Sequence, residues 1–376
     1  ILHIVGGMNR GGVETWLMHV LRHIDRERYQ MDFLVHTLEP CAYDDEIRAL
    51  GSRIIACLRP SQPLRYARNL RRVLRQNGPY DVVHSHVHHF NGVIMVVTRH
   101  AGVPMRISHH HTVTLHEDTR ASSVRRLYLL VTTRAVASCA THCLACSEPA
   151  AHAIGGPRWS SDARWQVLHC GIDLAPFRMT RLADRRAVRA ELGIPQGAPV
   201  VGHVGRFVRT KNHAFLLDVF ANVLEQLPDA RLLLVGDGPL RDAAETKAKA
   251  IGVRSSVVFT GVRDDVPRVM TSAMDVFVFP SIWEGLPVSV LEAQAAGLPC
   301  IVSLAAPNES IVTGSQVRSL SLDEPLEEWA DSVVSVIRSR PRFPSSLDAI
   351  TGSSFDIEKS VERVARVYQE CLRVQD

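Results

Sequence analysis

Nowhere in its 376 residues does the chain supply the roughly 18 consecutive apolar residues that a bilayer-spanning helix needs. The longest candidate, Leu127 to Cys146, is broken by Arg134, His142 and several small polar residues. Lysine is missing from residues 1–180, which carry 21 Arg against 14 Asp plus Glu, whereas the remainder carries 22 basic against 25 acidic residues. The basic half fits either an anionic partner such as lipid headgroups or phosphates, or a solvated arginine-rich surface. No Asp-x-Asp pair occurs, so the usual carboxylate arrangement of a metal-bridged nucleotide ligand is missing. Eight irregularly placed cysteines, mostly within apolar runs, argue against a disulfide framework and for reduced, buried thiols. Cys139-x3-Cys143-x2-Cys146 has the spacing of an iron–sulfur site that works with S-adenosylmethionine. Cys143 and Cys146 nevertheless fall in an apolar strand followed by a helix start, which reads better as small buried hydrophobes. Gly236-Asp-Gly238-Pro-Leu240 lacks the third glycine of a dinucleotide fingerprint, and Gly6-x4-Gly11-Gly12 lacks the lysine and hydroxyl of a P-loop. The chain opens at Ile1 inside an apolar strand with no basic-then-apolar leader, so a cytoplasmic location is expected.

What is present is ordinary for a globular protein: 46% hydrophobic and 22% charged residues, in a length that favours two domains over one. Short apolar runs alternate with amphipathic helical stretches from end to end, the pattern of parallel sheets covered by helices. In the first half the strand candidates are Ile1–Val5, Met31–Val35, Arg53–Cys57, Asp81–Ser85, Met105–Ser108 and His142–Cys146. The second half offers Val200–Val204, Arg231–Val235, Val257–Phe259, Val276–Phe279 and Cys300–Ser303. Val13, Trp16, Leu17, Val20, Leu21 and Ile24 recur at helical spacing after the first strand. One boundary is expected around Gly171–Arg185 and a second connector over Phe343–Ser354. The resulting division is residues 1–175, 176–354 and a last helix in 355–376 that packs back on the first domain. The fold class is α/β, two Rossmann-like doubly wound domains facing across a cleft, with ligands at the carboxyl ends of the strands.

Chemistry concentrates in two loops of the second half. Phe279-Pro-Ser-Ile-Trp-Glu-Gly-Leu-Pro287 runs into a helix over Val288–Gly297, and Pro287 suits the first helical position. Free N–H groups and the positive end of the helix dipole make that start an anion site. Glu284 precedes it, and Glu292 lies about one and a half turns inside, among Val290, Leu291, Ala293, Ala295 and Ala296. Two carboxylates at different depths beside a diphosphate are placed to accept hydroxyl hydrogen bonds. The second loop, Gly205-Arg-Phe-Val-Arg-Thr-Lys-Asn212, follows the strand Val200–Val204 and sets Arg206 and Lys211 at its carboxyl end.

These residues resemble glycosyltransferase family four, the retaining GT-B enzymes. The resemblance rests on Glu284-x7-Glu292, on Arg206-x4-Lys211 and on Val204-Gly205-Arg206. It is supported by Leu233–Leu240, Phe259–Val262 and the early Gly11-Gly12-Val13-Glu14 loop, and it covers nearly the whole chain in order. It implies transfer of a hexosyl unit from a UDP- or GDP-sugar to a glycan or lipid-linked acceptor in polysaccharide or glycolipid assembly, with retention and without a metal or other cofactor. Glu284 would contact sugar hydroxyls and Glu292 the ribose, and Arg206 and Lys211 would hold the diphosphate. Gly285, Leu286, Pro287 and Val288 would frame it, with backbone N–H groups where they exist. Gly205 belongs to the same motif, Gly261 and Val262 would line the nucleobase, and Gly11 and Gly12 would let the first loop approach the phosphates. A departure is Ala306-Pro-Asn-Glu309, where relatives often carry a Gly-rich turn. Rival readings are a catalytically inactive GT-B binding subunit and a GT-B nucleotide-sugar epimerase.

Histidine is crowded into the first half, 16 of 18 before residue 180. His84-Ser-His86-Val-His88-His89 closes one strand and His109-His110-His111 the next. Family members place one histidine near the donor's anomeric carbon, and His110 and His111 both compete for that position, with His111 favoured. Adjacent strand residues point to opposite faces, so His109 and His110 do not chelate together, and no metal site is expected. Arg65, Arg68, Arg71, Arg72 and Arg75 at near-helical spacing fit contact with an anionic membrane at its inner face, or a solvated helix. No nucleic-acid partner is expected.

Overall fold

The computed structural model describes residues 1–58, 61–113, 122–179, 183–339, 343 and 346–373. Residues 180–182 and 344–345, parts of the two expected connectors, lie outside these. The chain forms two compact units, residues 1–171 with 357–376, and residues 172–356.

The first unit holds a seven-stranded parallel sheet of β1 (Leu2–Val5), β2 (Asp32–Val35), β3 (Ile54–Ala56), β4 (Val82–Ser85), β5 (Met105–His110), β6 (His142–Ala145) and β7 (Trp165–Val167). Its spatial order is β3-β2-β1-β4-β5-β6-β7. One face packs Leu2, Ile4, Leu34, Val83 and Cys143 against Ile94, Met95 and Val97 of the helix Asn91–His100. The other face carries the helix Gly12–His23 and the closing helix Ile357–Arg373. Trp16 Nε1 of the former donates to Ser360 Oγ of the latter at 2.9 Å, and Ser360 Oγ donates in turn to the His169 carbonyl at 2.9 Å.

The second unit repeats the plan with β8 (Val200–Val204), β9 (Arg231–Val235), β10 (Val257–Gly261), β11 (Val276–Phe279), β12 (Cys300–Ser303) and β13 (Val317–Leu320), ordered β10-β9-β8-β11-β12-β13. The period-two alternation of strands divides its core cleanly. Val201, Leu232, Leu234, Val276 and Val278 meet Leu216, Phe220 and Trp329 on one face. Leu233, Val235, Phe277, Phe279, Cys300 and Val302 meet Val269, Met270, Val290 and Ala293 on the other. Both faces are covered, which is why these strands read as unbroken apolar runs.

Strand order reverses beside β1 and β4 in one sheet and beside β8 and β11 in the other. Loops leaving such neighbours diverge to opposite sides and open a crevice at the carboxyl ends of the strands. Both motif loops of the second half leave from β8 and β11. None of the eight cysteines is in a disulfide, and seven of them are buried. Among the described residues no helix is long and apolar enough to cross a membrane.

Candidate active site

At the switch point of the second unit the two motif loops are stitched together, since Ile282 N–H donates to the Thr210 carbonyl at 2.8 Å. Behind them Gly205 N–H donates to Val235 O at 3.0 Å and Phe207 N–H to Asp237 O at 2.9 Å. That packing requires glycine at 236: with φ at +134°, a Cβ there would stand 2.2 Å from the Gly205 carbonyl oxygen. The loop after β8 then turns through Arg209–Lys211 and Asn212, which adopts a left-handed φ of 54°, into the helix His213–Gln226.

Lys211 and Glu284, 73 residues apart, form an ion pair of 2.6 Å with side chains only 19% and 11% exposed. Lys211 Nζ also lies 4.6 Å from the centre of the Phe279 ring, which supports the cation from below. Arg206 is exposed, and its guanidinium has no hydrogen bond or ion pair among the described residues. The two cations expected to act alike are thus held differently: one is anchored, the other is free to close on an anion.

The helix after β11 begins at Val288, as its sequence predicts, but Pro287 is its cap rather than its first residue. The cap turn uses the Val288 N–H on the Leu286 carbonyl at 3.0 Å. This corrects the expectation that Val288 presents a free N–H. Proline has none, and the N–H groups of Gly285, Leu286 and Ser289 are those without an acceptor among the described residues. Glu292 lies one turn further along, half-buried, and its carboxyl has no protein partner among the described residues. Burial pushes its pKa up to about 7.

Two glutamines that sequence reasoning missed fix this helix. Gln294 Nε2 donates to Ser310 O at 2.8 Å, and its Oε1 accepts from Val312 N–H at 2.9 Å. Gln316 Nε2 donates to the carbonyls of Gln294 at 3.1 Å and Leu298 at 2.6 Å. A buried glutamine inside an otherwise apolar stretch is the signal that was available. At the end of β10, Gly261 has φ +73° and accepts from Gly236 N–H at 2.9 Å, and the Val262 side chain is 55% exposed. An exposed apolar side chain at the carboxyl edge of the sheet is a surface on which a flat ring can rest.

In the first unit, the loop after β1 reaches Gly11, which caps the helix Gly12–His23 in an extended conformation. Its φ is not left-handed, and a Cβ there would meet only the end of the Glu14 side chain, which can move aside. The neighbouring strands put the histidines on two faces. His110 is 1% exposed, shares a hydrogen bond of 2.9 Å with Ser108 Oγ, and stacks on Trp165. His109 and His111 lie on the opposite face beside Trp16, and His111 is half-buried at the exit of β5. His3, His84 and His86 join them there: His3 Nδ1 to His86 Nε2 is 3.1 Å, His86 Nδ1 to His111 Nε2 2.9 Å, and His84 Nε2 to His109 Nδ1 3.1 Å. Desolvation first, then mutual repulsion, drives the pKa values of His84, His86, His109 and His111 well below the usual imidazole range.

Known proteins match both halves. The family model described as Glycosyltransferase Family 4 covers residues 10–176, and that described as Glycosyl transferases group 1 covers residues 184–346. A protein that carries a glycosyltransferase name, EpsF of Bacillus subtilis (strain 168), is 37% identical over 98% of this chain and 96% of its own length. The UDP-Gal:alpha-D-GlcNAc-diphosphoundecaprenol alpha-1,3-galactosyltransferase of Escherichia coli is 30% identical over 62% of this chain and 60% of its own. The structure of Anabaena HepE in complex with UDP and glucose has the same fold, with a TM-score of 0.82 at 20% identity over 98% of each chain. With each half matched in turn and one relative aligned almost end to end, this chain belongs to the family-four glycosyltransferases of GT-B fold and is an enzyme of glycosyl transfer.

Proposed function

We propose that the protein moves a hexosyl unit, with retention and without a metal at the diphosphate, from a UDP- or GDP-sugar to a glycan or lipid-linked acceptor in polysaccharide or glycolipid assembly. The observation that carries this reading is the composition of the β8–β11 switch point. It combines a free Arg206, a Lys211 tied to Glu284, N–H groups without acceptors at a helix start, and an unpartnered Glu292. Departure of a nucleoside diphosphate builds negative charge on its oxygens, and preorganised cations and N–H dipoles are most effective where that charge appears. Two cations at the diphosphate perform the neutralisation that a bridging metal performs elsewhere.

In this reading Arg206 forks onto the diphosphate, while Lys211 touches it from one side and orients Glu284 towards donor-sugar hydroxyls from the other. Gly205, Gly285 and Leu286 bring backbone close to the phosphates, Glu292 accepts from the ribose, and Gly261 and Val262 receive the base. In the first unit Gly11 and Gly12 open the β1 loop to an anion. His111 rather than the sealed His110 serves the anomeric centre. The UDP complex of HepE supports a nucleotide-sugar donor, and the names of the relatives support an acceptor in surface glycan assembly. The arginines at 65, 68, 71, 72 and 75 are all exposed on the helix Pro63–Asn77, whose other side buries Tyr66, Leu70, Val73 and Leu74. That face suits the anionic inner surface of a membrane, where a lipid-linked acceptor would be met.

The test is Arg206→Ala in a transfer assay with the preferred donor. Turnover should fall by roughly 10²–10³-fold with the fold intact. Near-normal turnover would remove the proposed charge neutralisation.

A further inference from the structure

The histidine array of the first unit is larger than any role in glycosyl transfer requires. It is built by alternation: β4 and its exit project His84 and His86 to one face, and β5 and its exit project His109 and His111 to that same face. Register across β1 adds His3, which pairs with His84.

Three of these rings share an inner space. One ring nitrogen from each of His86, His109 and His111 lies within 4.8 Å of the others, and the ring centres of His109 and His111 are 4.0 Å apart. The outward nitrogens are already engaged: His86 Nε2 with His3, His109 Nδ1 with His84, and His111 Nδ1 with Cys170 Sγ at 3.7 Å. His84 is held in turn by the Tyr368 hydroxyl at 2.8 Å. Outer contacts of this kind fix ring orientation and tautomer in metal-ligating histidines. They leave His86 Nδ1, His109 Nε2 and His111 Nε2 as the nitrogens open to a common ligand.

Hydrogen bonding alone does not satisfy this trio. His86 Nδ1 and His111 Nε2 pair at 2.9 Å, but His109 Nε2 is buried with no partner. A buried polar atom left so costs about 1–3 kcal/mol. We propose that His86, His109 and His111 form a three-coordinate site for a borderline divalent transition metal such as zinc. Nitrogens at the usual zinc distance of about 2.0–2.1 Å in a tetrahedral arrangement stand roughly 3.3 Å apart. The 2.9 Å pair needs to open only slightly, and the third ring to swing inward. Neutral imidazoles without carboxylates suit zinc, nickel, copper or cobalt over magnesium or calcium. His86 and His111 are half-buried, which leaves an entry path and a fourth position open to water. A metal held here would take His111 Nε2 from the anomeric role proposed above, so the two readings compete for that ring, and the test reads metal binding rather than transfer activity.

The full chain, stripped with EDTA and returned to chelator-free buffer, is titrated with Co2+ and Zn2+. One Co2+ should bind per chain with the strong visible absorption of a tetrahedral nitrogen site, displaced by Zn2+. His109→Gln and His86→Asn should each weaken Zn2+ at least roughly 100-fold, and His84→Asn, an outer support, by about 10–100-fold. Circular dichroism identifies any variant that fails to fold, and the remaining one then answers the question. Helix Gly12–His23 carries the half-buried His19 and the exposed His23 one turn apart, a pair able to take up metal adventitiously. The double variant His19→Ala/His23→Ala should leave affinity unchanged. Absence of stoichiometric binding by the wild type, or binding lost with His19 and His23 while His109→Gln retains it, would overturn the proposal.

Discussion

Glu292 is the residue where stability and function pull apart. Its carboxyl is half-buried without a partner, and its pKa in the folded protein is about 7 against an ordinary value near 4.5. As pH rises from about 4.5 to 7 the unfolded chain loses this proton first, so folding weakens across that window and stays weaker above it. Glu292→Gln should therefore raise stability at pH 8 by about 1–3 kcal/mol and leave it nearly unchanged at pH 4. Urea unfolding at the two pH values measures the difference. The same variant should bind the nucleoside diphosphate roughly tenfold more weakly, because a charge-assisted hydrogen bond to the ribose is replaced by a neutral one. A gain in stability without loss of binding would leave the carboxylate with no donor role. Lys211 and Glu284 give a second prediction at this scale. Because Glu284 holds the lysine, Glu284→Gln should weaken binding of a nucleoside diphosphate that carries no sugar at all, measurable by calorimetry. A double-mutant cycle with Lys211→Met should show a coupling of about 1–3 kcal/mol. Loss confined to the sugar-bearing donor would show that the two side chains act independently.

Secondary-structure elements show why some of this was legible in the sequence and some was not. Val276–Phe279 and Arg231–Val235 are buried on both faces, so their apolar runs announce themselves. Trp165–Val167 and Val317–Leu320 escaped because they are edge strands, partly exposed and interrupted by Gln166, Arg318 and Ser319. The histidine array was illegible at the same level. Adjacent histidines do point apart, but residues two apart do not, and the register that brings β1, β4 and β5 together is long-range information. The Lys211–Glu284 pair and the glutamine braces of the Val288–Ala295 helix are likewise tertiary facts. Gln294→Ala should loosen that helix and lower the thermal midpoint, because it strands the Ser310 carbonyl and two N–H groups. At the surface, replacing Arg68, Arg71, Arg72 and Arg75 with Gln should reduce cosedimentation with phosphatidylglycerol vesicles, at about 1 kcal/mol per arginine near the membrane. Nucleotide binding should persist in that variant.

For the whole molecule, the proposed function requires the second unit to bind a nucleotide-sugar donor through cations and helix-start dipoles, with no metal at the diphosphate. Each unit carries its own core and its own switch point. Composition and periodicity were enough to read two α/β halves, and the motif loops carry the proposal that the second of them takes the donor. The most direct measurement is a thermal-shift screen of the purified chain against UDP, GDP and their hexose derivatives in EDTA. A rise in melting temperature with one nucleoside diphosphate and its sugar, retained in EDTA and lost in Arg206→Ala, is the predicted result. A shift that appears only when a divalent metal is restored, or none with either nucleotide, would contradict it.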